Sequence, residues 1–411
     1  MRKFIYIIFA AALFATSCEQ EQPIVNNGQW PIHYGYMQFS TEVSSRAQLV
    51  TDMKDKSFGV LGYKYSATTN WATAKPVTAP MSDFYNLEVV SVKDEESGSY
   101  NYNYDAYPND NEKSLMEWAE GNYSFFAYHP YTDDNTNTGI TLSTATATNT
   151  PILTYEYPWL NGEGKSWFIG AFGTVALQKD STPQNIKLDV INLCDASAPV
   201  YDVMTAEAID VNGTGSGTVG LNFKHRMFAL EVLANNYNEN TEGTHDARQS
   251  ITSLVLTLNG LQNSSMTIPM SMQSGEVAPD YDGAKPGTRS FLITDPYKGG
   301  IEIPAFNDRF IEEDGTIRGE GIATSVSKLG GRNGNAGYLM LIPQTVGLSG
   351  SLHWAELKNF DGSISTDFTS NIEFKAGRLY QLYINFVGDG ITIALIEAGA
   401  WDIHDVEHKF E

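Results

Sequence analysis

The sequence predicts an all-β protein, and its composition, its turn residues and the spacing of its apolar segments support this fold class. Charged residues make up only 18% of the 411 residues, whereas glycine and tyrosine are frequent, with 36 and 22 copies. Aromatic and β-branched residues favour strands, and glycines favour the turns between them. Apolar segments of roughly five to eight residues recur about every 10–15 residues, and long blocks with helical periodicity do not occur. This pattern is typical of β-sandwich domains.

Individual strands are recognised by the alternation of apolar and polar residues. Within the first stretch, residues 32–45, polar residues alternate with four residues that share one face: Met37, Phe39, Thr41 and Val43. Further strands are predicted along the chain at SFGVLGYKYSA, YNLEVVSV, YSFFAY, ITLST, IKLDVINL, VYDVMTAEAIDV, TVGLNFKHRMFALEVLAN, SITSLVLTLNG, GYLMLIPQTV, GRLYQLYINF and GITIALIEAGA. The strands therefore cover the chain from one end to the other.

A run rich in Gly, Ser and Thr, NGTGSGT at 212–218, is the best candidate for an interdomain linker. The strand pattern restarts after it, and the chain is long enough for two cores of ordinary size. We therefore predict an N-terminal β-sandwich domain at 47–214 and a C-terminal one at 215–411.

The first 18 residues predict export. Two basic residues precede an apolar run at 4–14, which is too short to span a bilayer and fits a signal peptide. The small residues before Cys18 resemble a bacterial lipobox, in which the cysteine is lipidated and becomes the N-terminus, although Ala15 replaces the usual leucine. An ordinary signal peptide with a chance cysteine is the alternative. Residues 19–46 would then be a polar tether followed by the first strand.

The net charge of −23 disfavours nucleic acid and anionic lipid as partners. Residues 1–46 contain three basic and three acidic residues, so the remainder of the chain keeps the whole charge. There is no basic patch with interleaved aromatic residues. With Cys18 lipidated, Cys194 has no partner for an intramolecular disulfide, and we expect it to be a small buried residue.

Three catalytic or metal-binding patterns occur, and each lacks the context that its chemistry needs. HDVEH at 404–408 matches a zinc-hydrolase pattern but follows a strand instead of lying on a helix. GSGTVG at 215–220 matches a dinucleotide fingerprint without a βαβ unit. DDNTNTG at 133–139 resembles a calcium loop without its final glutamate. We therefore predict no enzyme, no cofactor and no metal site.

The aromatic residues leave a second function class open. Trp71, Trp118, Trp159 and the many tyrosines could form platforms for carbohydrate rings. They could equally pack in the core and between strands, which is the commoner use of aromatic residues in β proteins.

Several segments, in their order and spacing, resemble the Bacteroidetes fimbrillins, the subunits of type V pili. The resemblance covers nearly the whole chain and is carried by the lipobox at Cys18, the Ser-Arg-Ala joint at Arg46 and Ala47, FGVLGYKY, NYSFFAYHPY at 122–131, YDVMTAEA at 201–208, VGLNFKHRMFALEVLA at 219–234, YLMLIPQTV at 338–346, AGRLYQLYINF at 376–386 and Trp401.

The resemblance implies two transthyretin-like β-sandwich domains in tandem and export as an outer-membrane lipoprotein. An arginine-specific protease would cut between Arg46 and Ala47 and release the first strand. A strand from a neighbouring subunit would then fill the opened groove. The donor would be the C-terminal segment 388–411, whose candidate residues are Ile391, Ile393 and Leu395. The alternative is that this segment completes its own domain.

We therefore expect a structural subunit of cell-surface fimbriae that supports adhesion. Its expected partners are other fimbrial subunits in a head-to-tail polymer, the protease, the outer membrane through the lipid on Cys18, and possible host glycans or proteins. A tip or anchor subunit remains an alternative within the family. A tethered glycan-binding lipoprotein is the alternative from a different class.

Overall fold

The computed structural model of the protein describes several ranges of residues along the chain. These are 36–43, 53–54, 56–74, 79–93, 95, 100–104, 115–145, 149–161, 165–169, 187–192, 201–215, 217–237, 249–251, 254–271, 287–294, 301–303, 310–311, 317–318, 327–329, 338–344, 349–354, 364–387 and 390–400.

Strands dominate the described residues, which confirms the predicted all-β class. Those before residue 226 are β1 (Gln38–Val43), β2 (Ser57–Tyr65), β3 (Leu87–Lys93), β4 (Tyr100–Tyr104), β5 (Asn122–His129), β6 (Ile140–Thr144), β7 (Pro151–Glu156), β8 (Lys165–Ile169), β9 (Lys187–Asn192), β10 (Met204–Asn212) and β11 (Thr218–His225).

The later strands are β12 (Phe228–Tyr237), β13 (Gln249–Ile251), β14 (Leu254–Leu261), β15 (Ser265–Pro269), β16 (Gly287–Thr294), β17 (Ile301–Ile303), β18 (Phe310–Ile311), β19 (Ile317–Arg318), β20 (Ser327–Leu329), β21 (Tyr338–Leu341), β22 (Ser349–Trp354), β23 (Ile364–Thr369), β24 (Arg378–Val387) and β25 (Gly390–Ala400).

Helical structure in the described ranges is short. It comprises α1 (Trp71–Ala74) and the 3-10 turns Ser82–Phe84, Pro158–Asn161 and Gly213–Gly215. None of these helices is long and apolar enough to cross a membrane.

The first sheet has seven strands in the order β1-β11-β10-β5-β2-β3-β4. Its neighbours are antiparallel except at one edge, where β1 runs parallel to β11. The two edge strands approach each other, because Thr41 on β1 donates a hydrogen bond to Tyr102 on β4. The sheet therefore curls around an enclosed core and gives a sandwich-like arrangement.

The central strands β2 and β5 are buried on both faces. Phe58 and Val60 of β2, together with Phe125 of β5, belong to the core inside the curled sheet. Tyr63 and Phe126 point to the other face and belong to a second, larger core. Because both faces are apolar, these strands read as nearly continuous hydrophobic runs.

The larger core is built by strands from both halves of the chain. A five-stranded sheet contains β20-β12-β24-β25 with β21 beside β12, and a six-stranded sheet has the order β23-β22-β14-β16-β9-β8. β7 pairs with β15, and β9 pairs with β16, so strands on the two sides of residue 214 share sheets. The domain boundaries at 47–214 and 215–411 stay a prediction.

The predicted linker at 212–218 is a hairpin connection between β10 and β11 of the first sheet. The N–H of Gly213 donates to the carbonyl of Gly121 at 2.9 Å, which fixes the turn to the start of β5. The chain leaves this sheet later, at Arg226 and Met227, and enters β12. The linker prediction was therefore wrong, because Gly, Ser and Thr suit a tight turn as well as a flexible linker.

Substitution of the two glycines in this turn tests its packing. A Cβ atom on Gly213 would lie 2.2 Å from the carbonyl oxygen of Ala119, whereas one on Gly215 would have nothing within 4 Å. Gly213→Ala is expected to lower the free energy of unfolding by about 1–3 kcal/mol because a backbone atom must move. The control Gly215→Ala is expected to stay within about 0.5 kcal/mol. Urea unfolding measures both, and equal stabilities would contradict the packed turn.

Candidate functional site

β1 occupies the edge of the first sheet, with β11 on one side and β4 on the other. Its register with β11 begins at Gln38 opposite Thr218 and ends at Val43 opposite Phe223. Along the strand, Met37 and Phe39 are buried, and three outward-facing side chains are exposed: Gln38, Ser40 and Glu42. The alternation predicted from the sequence is confirmed over these residues. We call the cleft that β1 fills the β1 groove.

The β1 groove holds the side chain of Phe39 among four aromatic rings. Its ring centroid lies 5.6 Å from those of Tyr104 and Phe125, with interplanar angles of 65° and 87°. The rings of Phe84 and Phe58 follow at 6.3 and 6.5 Å. Edge-to-face pairs at these distances attract each other beyond the burial of their area. Phe39 is consequently 5% exposed and forms the centre of the contact between β1 and the core.

Two tyrosine hydroxyls of β4 contact β1. Tyr104 donates to the backbone carbonyl of Met37 at 2.9 Å, and this contact is buried. Tyr102 accepts a hydrogen bond from the Thr41 hydroxyl at 2.6 Å. Since alternate residues of β4 share one face, both hydroxyls point into the β1 groove. Neither tyrosine was predicted as a site residue, although the alternation YNYNY at 100–104 indicates a strand with one aromatic face.

A short segment before β5 closes the start of the β1 groove. The N–H of Met37 donates to the carbonyl of Met116 at 2.8 Å, and Tyr36 forms an antiparallel bridge with Glu117. The N–H of Met116 in turn donates to the Tyr104 hydroxyl at 3.3 Å. β1 is therefore held by backbone contacts on both sides, to β11 and to this segment.

β25, the candidate donor strand, completes the protein's own sheet in this structure. It lies at the edge of the five-stranded sheet and pairs antiparallel with β24 from Gly390 to Ala400. Ile393 and Leu395 are buried in the larger core. Donation by Ile391, Ile393 and Leu395 stays a prediction, and the structure adds that their strand already has a partner.

Buried polar groups lie at the end of β11, where the chain leaves the first sheet. His225 Nδ1 lies 2.8 Å from Asp202 Oδ2, and both side chains are almost fully buried. His129 Nδ1 lies 2.8 Å from the carbonyl oxygen of Ser57. Both histidines stand opposite Met204 in the sheet register. His129, Asp202 and His225 therefore lie close together as one polar cluster at this end of the sheet.

His129 is the group in this cluster whose protonation the fold disfavours. Burial lowers the pKa of His129, and the nearby charges of Lys56 and His225 act in the same direction. The hydrogen bond to the Ser57 carbonyl and the charge of Asp202 oppose the shift. The neutral imidazole is therefore the form that the folded protein prefers.

The remaining predicted sites fall into two groups. Cys18, Arg46, Ala47 and the HDVEH motif at 404–408 lie outside the described residues. The calcium-like segment is described and forms a local turn, in which Asp133 Oδ1 accepts hydrogen bonds from Asn135 N–H and the Thr136 hydroxyl, both at 2.9 Å. Among the residues that the structure describes, no group of His, Cys, Asp or Glu side chains is arranged to hold a metal ion.

Comparison with known proteins gives similarity at the level of solved structures. No protein-family model and no curated protein matches this chain. A fimbrial protein from Bacteroides vulgatus is similar with 17% identity and a TM-score of 0.47, over 89% of this chain and 99% of that one. A protein from Bacteroides ovatus named for a proposed role in cell adhesion has 15% identity and a TM-score of 0.44, over 91% of this chain and 100% of that one.

The partly buried His129 predicts a loss of stability in mild acid. The unfolded chain binds a proton to this histidine below a pH of about 6.5, whereas the folded protein binds it only at lower pH. The contribution of His129 to the free energy of unfolding is thus fully present above that pH, and it is lost as the pH decreases towards the pKa of His129 in the folded protein. We expect His129→Asn, whose amide can still donate near Nδ1, to reduce the slope of unfolding free energy against pH. Urea unfolding between pH 8 and 5 measures this, and identical slopes would contradict it.

Proposed function

We propose that this protein is a fimbrial subunit whose first strand is removed by cleavage after Arg46 and replaced by a strand of another subunit. One observation carries the proposal. β1 is an edge strand that joins the first sheet in parallel and fills an aromatic groove, and Arg46 follows its last residue, Val43, by three positions. A single cut there would separate β1 from the rest of the chain.

The consequence of losing β1 follows from sheet physics. The backbone groups of β11 that face β1 would lose their partners, and an unpaired edge recruits another strand. Burial of Met37 and Phe39 stabilises the protein by about 1.5–3 kcal/mol per side chain, and this contribution would be lost as well. A strand from another chain can restore both the backbone pairing and the buried side chains. Because the donated strand and the β1 groove are different surfaces, repetition gives a head-to-tail polymer.

The donated strand is proposed to come from the C-terminal segment 388–411. The position of β25 at a sheet edge supports this choice, because an edge strand has one neighbour to leave instead of two. Its departure also has a cost, since Ile393 and Leu395 would leave the larger core. Exchange therefore requires that the groove of the accepting subunit buries the donated strand comparably well.

The cell-surface location is proposed from the leader. Lipid on Cys18 would attach the precursor to the outer membrane, and cleavage after Arg46 would release the subunit for assembly into a fimbrium that supports adhesion. The polar stretch before β1 would then be a tether that is discarded together with β1.

A tethered glycan-binding lipoprotein is the second candidate, and the burial of the three tryptophans whose side chains the structure describes weighs against it. Trp71, Trp118 and Trp159 are 0%, 2% and 3% exposed, and they pack against other aromatic rings in the cores. Carbohydrate platforms need exposed ring faces, which these three side chains do not offer.

Substitutions at Arg46 test the cleavage step. A soluble form beginning at Glu19 is treated with an arginine-specific protease or with trypsin and examined by mass spectrometry and denaturing gels run without boiling. Arg46→Lys should be cut after residue 46, and should assemble, only with trypsin. The Arg46→Ala variant should be neither cut after residue 46 nor assembled with either protease. The wild-type protein should be cut and should assemble with both proteases. Higher-mass assembly of the uncut Arg46→Ala variant would contradict the mechanism.

A disulfide between β1 and β11 tests whether β1 must leave. Ser40 and Gly220 are register partners, and a Cβ on Gly220 would lie 3.9 Å from Ser40 Oγ, within reach of a disulfide. The double variant S40C/G220C, in a Cys194→Ser background without Cys18, should be cut after Arg46 but should assemble only after reduction. The single variant S40C is the control and should assemble with or without reductant. Assembly of the oxidised double variant at the control rate would show that β1 stays in place.

A further inference from the structure

We propose that the β1 groove selects its incoming strand by side-chain pattern, favouring an aromatic residue and, two residues later, a serine or threonine. This inference rests on the proposed function and specifies the partner chemistry. The preferred occupant is a strand of another fimbrial subunit that carries this pattern and runs parallel to β11.

The aromatic position is defined by the surroundings of Phe39. The rings of Phe58, Phe84, Tyr104 and Phe125 approach the Phe39 ring from several sides, all four at interplanar angles of 65° to 88° with Phe39. An aliphatic side chain at this position would fill part of the volume but would lose the edge-to-face contacts. A small side chain would leave a cavity between rings that belong to four different parts of the chain.

The hydroxyl position is defined by Tyr102. Thr41 Oγ1 donates to the Tyr102 hydroxyl at 2.6 Å, across the gap between the two edge strands of the first sheet. Valine has the shape of threonine but cannot donate, so it would lose this contact. Leu221, the register partner of Thr41 on β11, is buried in the core inside the curled sheet.

Tyr104 adds a contact that does not depend on the side chain of the incoming strand. Its hydroxyl donates to the carbonyl of Met37, two residues before Phe39, and so fixes the register. Together the three points run in the order backbone carbonyl, aromatic ring and hydroxyl along the direction of β11. A strand in the opposite direction would present the same pattern in reverse, so the β1 groove also selects strand polarity.

The protein's own C-terminal segment does not carry the pattern. β25, GITIALIEAGA, has no aromatic residue, and the aromatic residues that follow Val387 are Trp401 and Phe410. Position 403 is isoleucine, so Trp401 is not followed by a hydroxyl two residues later. A peptide of residues 388–411 therefore lacks the hydroxyl at the favoured spacing. We expect it to enter the β1 groove of another copy, as in the assembly tests above, but to bind more weakly than a strand that carries the pattern.

Competition between peptides tests this selectivity. The soluble form beginning at Glu19 is cut after Arg46, and entry of a fluorescent peptide of residues 34–45 is followed by anisotropy against unlabelled competitors. Phe39→Ala in the competitor should weaken binding about a hundredfold or more, and Phe39→Leu about tenfold. Thr41→Val should weaken it about fivefold. The control Gln38→Ala, on the exposed face, should stay within about twofold. The 388–411 peptide should bind at least about tenfold more weakly than residues 34–45.

A variant of the groove assigns the hydroxyl contact. In Tyr102→Phe protein, the threonine and valine peptides should bind equally, because the acceptor of the Thr41 hydroxyl is gone. If all competitors bind the wild-type groove alike, the selectivity inference is wrong while strand uptake itself stands. If no peptide enters the cut protein, including residues 34–45 unchanged, the proposed function fails first.

Discussion

The edge strand of a sheet has unpaired backbone N–H and C=O groups that need partners, and this constraint explains the position of β1. Without β1, the first sheet would end in two open strands, β11 and β4. β1 pairs with β11 through its backbone and contacts β4 through hydroxyls, so one six-residue strand closes both edges. The same strand covers the aromatic core with Phe39. Closure of the sheet and closure of the core thus depend on a segment at the beginning of the chain.

The rest of the first sheet is fixed independently of β1. β2, β5 and β10 form an antiparallel centre, and β2 and β5 are buried on both faces by two different cores. The cluster of His129, Asp202 and His225 lies at the end of this centre, where the chain passes to β12. A sheet with such a centre can lose an edge strand without losing its order. This difference in burial between centre and edge is what makes strand replacement physically reasonable.

The alternation of side chains made part of the site predictable. Polar and apolar residues alternate in β1 because one face meets the core and the other meets solvent, and this pattern is local. The partners were not predictable in the same way. Thr41 and Tyr102 are separated by 61 positions, and β1 pairs with a strand about 180 residues later, so no local pattern records either contact. The run at 212–218 shows the same limit, since its composition suits both a linker and the hairpin that the fold contains.

The sequence by itself determined the all-β class, the strand nature and the two faces of β1, and the positions of Cys18 and Arg46 on which processing is proposed to act. Local propensity and period-two patterning carry that information, because they depend on neighbouring residues. Only the tertiary structure decided that β1 is a parallel edge strand and that four rings surround Phe39. It also decided that the hydroxyls of Tyr102 and Tyr104 on β4 contact the β1 segment. These features depend on long-range packing, in which residues distant along the chain share one enclosed core.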